Sequence, residues 1–224
     1  MNPSHRITLV PSAGLCNRMR VIDSCISLFA GSGANLDIVW MKDKGLGCPF
    51  HLLFEKISIE NVQMREASFA DYLMLGKPRK INLMLPRLFQ ALAFNKVIHE
   101  HEVLSLLQDN YSFAELATLR AAYLQTFHRI YENKERYGMF VPISDLQKKI
   151  NTVTSGFNQN TIGIHIRRTD HVHAIQHSPL YEFTARMQKE IDKNHDALFY
   201  LATDSVSVKE EIIGRFGKRI LYKD

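Results

Sequence analysis

Within the first forty residues, Ile7-Thr8-Leu9-Val10, a small-residue turn at Pro11-Ser12-Ala13-Gly14 and a helical run lead to a second apolar stretch. Leu15, Met19, Ile22, Ile26 and Phe29 recur at helical spacing to about Ala30. Gly31-Ser32-Gly33 stops that run, and Leu36-Asp37-Ile38-Val39-Trp40 reads as a strand. A strand, a helix and a strand in this order predict a βαβ unit and so a parallel sheet, whose ligands are met outside the carboxyl ends of the strands.

A second unit of this kind begins at Thr161-Ile162-Gly163-Ile164-His165-Ile166, which predicts a buried strand. It breaks off into Arg167-Arg168-Thr169-Asp170. With a period of two, Arg167 shares a face with His165 and Arg168 points the other way. Arg167 is therefore the candidate to grip an anionic ligand, and Arg168 to support it by pairing with Asp170 or another carboxylate. A strand-end ion pair is the ordinary alternative. Leu180 to Ile191 predicts a helix, Ala197 to Ala202 a strand buried on both faces, and Val208 to Phe216 a further helix. Lys218 to Tyr222 reads as another strand. The Ala197 to Ala202 strand again ends in polar residues, Thr203-Asp204-Ser205. Two successive strands that release polar side chains at the same end point to a site.

Between the two units the pattern is weaker. Short elements and loops are expected from about Lys42 to Lys80. Pro78 to His101 is basic and apolar, and is expected to bury its leucines, with a membrane surface as the alternative. Ser112 to Ile130 predicts a helix, Phe140 to Pro142 an extended piece, and Ser144-Asp145 the cap of a helix from about Leu146 to Val153. The polar run Thr154 to Asn160 is read as the boundary between a domain of residues 1–155 and one of residues 156–224.

The chain has 224 residues, with 46% hydrophobic and 23% charged residues and a formal net charge of +5. This is a globular composition, and the positive balance is too mild to imply nucleic acid. Three cysteines, Cys16, Cys25 and Cys48, make no disulfide framework. Their odd number fits a reducing compartment, the cytoplasm, and Cys16 and Cys25 are read as small buried residues, with zinc ligation as the alternative. No secretory signal or transmembrane run is expected, while a peripheral membrane contact is open. The oligomeric state is not legible.

Three stretches together resemble one family. Ser12-Ala13-Gly14-Leu15-Cys16-Asn17-Arg18 is similar to the Gly-Gly-Leu-x-Asn-Arg/Gln loop near the start of several fucosyltransferases. His165-Ile166-Arg167-Arg168-Thr169-Asp170 resembles the His-x-Arg-Arg-x-Asp motif of α1,6-fucosyltransferases, the bacterial nodulation enzymes included. Phe199 to Ser205 resembles their later Ala-Thr-Asp segment. The resemblance implies an α/β, GT-B-like fold of two Rossmann-like domains with parallel sheets, and an inverting, metal-independent transfer of fucose from GDP-fucose to a glycan acceptor. GDP-fucose is then a substrate, and no cofactor is implied.

Carried over by position, Arg167 would bind the donor β-phosphate and stabilise the leaving GDP, and His165 would sit by the nucleotide. Asp204, between Thr203 and Ser205, would accept from guanine. Gly14, Asn17 and Arg18 would add a close backbone approach, an amide and a cation for the donor. A departing diphosphate without a metal needs such a guanidinium. The family's lysine and glutamate after the motif are absent here. Asp170, His171 and His173 remain as candidate bases, and the choice among them is open. His165, His171, His173 and His177 also admit a zinc reading, although no carboxylate or cysteine completes a ligand set. A Rossmann-like half of ordinary size takes on the order of 120 residues. The second domain is therefore expected to be truncated, with an exposed sheet edge and apolar faces. A non-catalytic nucleotide- or anion-binding module and a transferase of another sugar nucleotide are the alternative functions.

Overall fold

The structure, a computed structural model, describes residues 5–76, 80, 83–132, 137–169 and 172–223, without the side chains of 172–174. It divides into two units, Met1–Ile143 and Ser144–Asp224.

The first unit is a parallel five-stranded sheet in the order β3-β2-β1-β5-β4. Its strands are β1 (Arg6–Pro11), β2 (Asn35–Trp40), β3 (Val62–Glu66), β4 (Lys96–Ile98) and β5 (Ala121–Thr126). Helices α1 (Leu15–Phe29), α2 (Phe69–Leu73), α3 (Pro86–Ala93) and α4 (Glu100–Gln108) connect them. β1 lies in the middle with both faces covered. Ile7 and Leu9 meet Val21, Ile22 and Cys25 of α1 in one core, and Val10 joins Val39, Leu75 and Tyr123 in another. This explains why β1 reads as an apolar run. After β3 the chain crosses to β4 at the far edge and returns through β5 beside β1. The order therefore reverses between β1 and β5, where a parallel sheet of this kind opens a crevice.

The second unit has a parallel three-stranded sheet, β6 (Thr161–Ile166), β7 (Leu198–Thr203) and β8 (Ile220–Leu221), in that order. It carries α5 (Ser144–Thr154), α6 (Val172–His177), α7 (Leu180–Lys193) and α8 (Val206–Phe216). Its core joins Ile166, Phe199 and Leu201 to Met187 of α7 and to Val208, Ile212 and Phe216 of α8. The α/β architecture with parallel sheets is the one expected.

Several expectations are corrected. The run read as a helix from Ser112 is a 3-10 turn, Phe113–Thr118, followed by the strand β5. Its apolar spacing fits a helix, but Ala121 to Thr126 pairs with β1 on one side and β4 on the other, and this tertiary pairing overrides local periodicity. The leucines after Lys80 are not buried: Leu83, Leu85, Leu88 and Leu92 are all exposed. β6 is an edge strand rather than a buried one, with Ile166 at 0% exposure and Ile162 at 37%. Ile162, Ile164, Phe183, Met187 and Phe199 line an open groove beside it. β7 buries Phe199 and Leu201, while Ala202 is exposed, so it is covered on one face and not on both.

The division falls at Ile143, not at 155/156. Glu55 N–H donates to Val141 O and Ile143 N–H to Leu53 O, tying the chain to the first unit up to that residue. The polar run from Thr154 is a helix end and a tight turn into β6, with Asn158 Oδ1 accepting from Asn160 N–H at 2.8 Å. Phe157 packs on Tyr200 of β7 at 5.0 Å between ring centroids.

Candidate functional site

In the second unit, Ile166 pairs in register with Thr203, so β6 and β7 end at the same level. Arg167 follows the first and Asp204 the second. The Asp204 carboxylate turns back onto the loop after β6. Its Oδ1 accepts from Arg168 N–H at 2.7 Å, and its Oδ2 accepts from the Thr169 hydroxyl at 2.7 Å and Thr169 N–H at 3.3 Å. The Thr169 hydroxyl, followed by the backbone N–H groups, holds Asp204 below the usual carboxylate range. A carboxylate has about four acceptor positions, and at least three are filled by the described residues. Asp204 is therefore first of all the anchor of the Arg167–Thr169 turn.

Arg168 supports the same turn. One Nη donates to Ser178 O at 2.7 Å and the other to Arg167 O at 3.0 Å, and the guanidinium lies 5.7 Å from the centre of the Phe183 ring. The sequence gives it a supporting role with a carboxylate as partner. Its described partners, however, are carbonyls and an aromatic face rather than a carboxylate. Arg167 and His165 are exposed, two positions apart on β6 and its extension. Ser205 caps α8: its Oγ accepts from Val208 N–H at 3.4 Å and shares a 3.0 Å hydrogen bond with Ser207 Oγ. Ser205 N–H in turn donates to Thr203 Oγ1 at 3.2 Å. The amino end of an eleven-residue helix thus opens where Asp204 holds the arginine loop. Helix N–H groups and a cation held on a fixed turn suit a phosphorylated ligand.

Asp170 and His171 lie outside the described residues, as does the side chain of His173. Among the described residues, no group of three or more His, Cys, Asp or Glu side chains comes together to hold a metal. His177 ends α6 and is exposed.

In the first unit, the loop after β1 differs from expectation in detail. Arg18 is not at the mouth of a crevice; it is fully buried. Its Nε donates to Ala13 O at 2.8 Å and one Nη to Met41 O at 2.5 Å. The other Nη lies 2.9 Å from the Asp43 carboxylate, and the guanidinium sits 4.9 Å from the Trp40 ring centre. Arg18 is a strut between the loops that follow β1 and β2. The left-handed residue of the turn is Ala13, at φ 66°, while Gly14 has an ordinary φ of −73°. Asn17 Oδ1 accepts from Arg20 at 2.9 Å. Cys16 is exposed and Cys25 buried, so only one of that pair fits the expectation of a buried thiol.

Sequence reasoning missed Glu100. Ser12 Oγ donates to Glu100 Oε2 at 2.5 Å, and Ser12 N–H donates to Thr126 O at 3.0 Å. A half-buried carboxylate at the start of α4 is thereby fastened to the turn that leaves β1. The only signal for it is the alternation His99-Glu100-His101-Glu102 after an apolar pair, which by itself reads as a solvated helix start.

No protein family and no curated protein matches this sequence. Solved structures do. The fucosyltransferase NodZ from Bradyrhizobium aligns with a TM-score of 0.64 at 15% identity, over 99% of this chain and 78% of that one. NodZ α-1,6-fucosyltransferase co-crystallised with GDP aligns with a TM-score of 0.67 at 15% identity, over 98% of this chain and 78% of that one. POFUT1 in complex with GDP-fucose gives 0.51 at 10% identity, over 100% of this chain and 85% of that one. The chain shares the fold of these fucosyltransferases.

Proposed function

We propose that this chain binds GDP-fucose at the carboxyl ends of β6 and β7 and transfers fucose to a glycan hydroxyl. The observation that carries the reading is the Asp204 anchor. It fixes the turn bearing Arg167 beside the amino end of α8, where a diphosphate would meet both a guanidinium and helix N–H groups. The fold likeness supports it, since solved relatives in that fold were co-crystallised with GDP or soaked with GDP-fucose.

In this reading Arg167 neutralises the charge that develops on the leaving GDP, and no metal is needed for that task. The transfer is an inverting displacement: the acceptor oxygen forms the new bond to the anomeric carbon as the bond to the β-phosphate oxygen breaks. The acceptor proton passes to a base, which we assign to the group Asp170, His171 and His173. His165 lies along the nucleotide. Thr203 and Ser205 shape the helix end, and Arg168 keeps the turn rigid.

Calorimetric titration of GDP, with UDP as control, into the unmodified protein and Arg167→Ala tests this. The expected result is selective GDP binding that weakens about tenfold or more on loss of one charged phosphate contact. Equal binding of UDP would move the assignment to another sugar nucleotide. No binding of either would leave the transferase reading without its donor site.

A further inference from the structure

α3 is inside out. The residues it buries are Pro86 and Gln90, and Gln90 is tied in by its Nε2, which donates to Met74 O at 2.7 Å. Leu85, Leu88 and Leu92, spaced to share one helical face, are 55%, 53% and 75% exposed. The turn before the helix extends the same outward display. Leu83 and Met84 both have left-handed backbones, at φ 51° and 60°, and their side chains are 68% and 59% exposed. Two successive residues with large side chains in that region are unfavourable unless the surroundings impose it. Here the turn lifts two apolar side chains into solvent next to three more.

The charge of the segment that carries this patch has one sign. Lys80, Arg87 and Lys96 are exposed, and the sequence holds no acidic residue between Asp71 and Glu100. Five large apolar side chains exposed within ten residues of chain point to an interaction surface. An aliphatic stretch flanked in sequence by cations has no Trp or Tyr anchor of the kind that dominates protein interfaces. It does match a bilayer surface, where acyl chains receive the leucines and anionic headgroups receive the basic side chains. We propose that the turn at Leu83–Leu85 and the outer face of α3 dock this protein on an anionic membrane surface, without spanning it. Among the described residues, no helix is long and apolar enough to cross a membrane. This inference is independent of the donor site.

The test is co-sedimentation of the full chain with phosphatidylcholine vesicles, with and without phosphatidylserine. Binding is expected only when phosphatidylserine is present, and it should weaken as salt is raised. Arg87→Glu should lower partitioning about fivefold or more. The double substitution Leu88→Gln/Leu92→Gln should lower it about tenfold or more. Pro86 and Gln90, which seat the helix, are untouched in both variants. The salt dependence of the unmodified protein needs no variant at all. Failure to sediment, equal binding to neutral vesicles, or variants that bind as well as the unmodified protein would each overturn the proposal. Self-association in solution that the double substitution abolishes would overturn it too, by assigning the face to a second copy of the chain.

Discussion

Asp204 Oδ2 accepts from both the hydroxyl and the N–H of Thr169, at 2.7 and 3.3 Å, so the end of β7 dictates the shape of the turn after β6. The two residues are 35 apart in sequence, and the pairing of Ile166 with Thr203 brings them together. A side chain that holds another loop has a different signature on mutation from one that reads a base.

Asp204→Asn keeps the shape but presents an amide to the N–H groups of Arg168 and Thr169. One of the two accepting oxygens becomes an NH2 donor and the charge is lost, so the turn keeps a single neutral acceptor, and GDP affinity should fall about tenfold or more, with the ratio of GDP to UDP affinity unchanged. Thr169→Val removes one hydrogen bond and should cost about threefold to tenfold. Titration of both nucleotides into both variants decides the point. Collapse of the GDP to UDP ratio in Asp204→Asn would mean that the carboxylate reads guanine instead.

Arg18 makes the opposite kind of prediction, on stability. Burial lowers the pKa of its guanidinium, and Asp43 opposes that shift. Replacing it with Met removes the cost of desolvating a cation, yet leaves Ala13 O and Met41 O without their donor. An orphaned buried acceptor costs about 1–3 kcal/mol, so Arg18→Met should lose about 2 kcal/mol or more on balance. Arg18→Lys should not restore it, because one ammonium cannot reach three directions in a fixed fork. Urea unfolding with an unchanged slope is the measurement. An unshifted midpoint would refute the strut.

What the sequence made legible follows from the physics of each segment. β6, β7 and α8 are short and strongly patterned, and their polar terminations fall where parallel strands deliver side chains. β5 was hidden because Tyr123, Leu124 and Phe127 also satisfy a helical period, and only the pairing with β1 distinguishes the two. Arg18 looks like a surface cation in sequence. Its burial depends on Met41 and Asp43 returning from another strand. Glu100 belongs to the same class: its partner Ser12 is 88 residues away, and nothing local marks the pair. The leucines of α3 have the spacing of a buried face, and hydrophobic periodicity gives the face without saying what covers it.

The pH dependence of stability turns on His99. Its ring stacks on His101 at 5.9 Å and meets Tyr123 edge-on at 6.2 Å. It also lies so close to Gly76 that a Cβ there would come within 2.5 Å of the ring. Burial lowers its pKa, with His101 and Arg87 adding to the shift and Glu102 and Gln125 opposing it. The unfolded histidine titrates at about 6.5, so below that pH the unfolded chain takes up a proton that the folded chain refuses. Stability therefore declines as pH falls through about 6.5, and this contribution levels off below the folded pKa. Asp71 and Asp204 have depressed values. What they contribute is present above the unfolded carboxylate value of about 4 and is lost only as pH falls through their folded values, so it does not fill the same window. Urea midpoints compared at pH 7.5 and 5.5, for the unmodified protein and His99→Gln, isolate the effect. The variant should lose less stability over that step, and an equal loss in both proteins would remove His99 from the account.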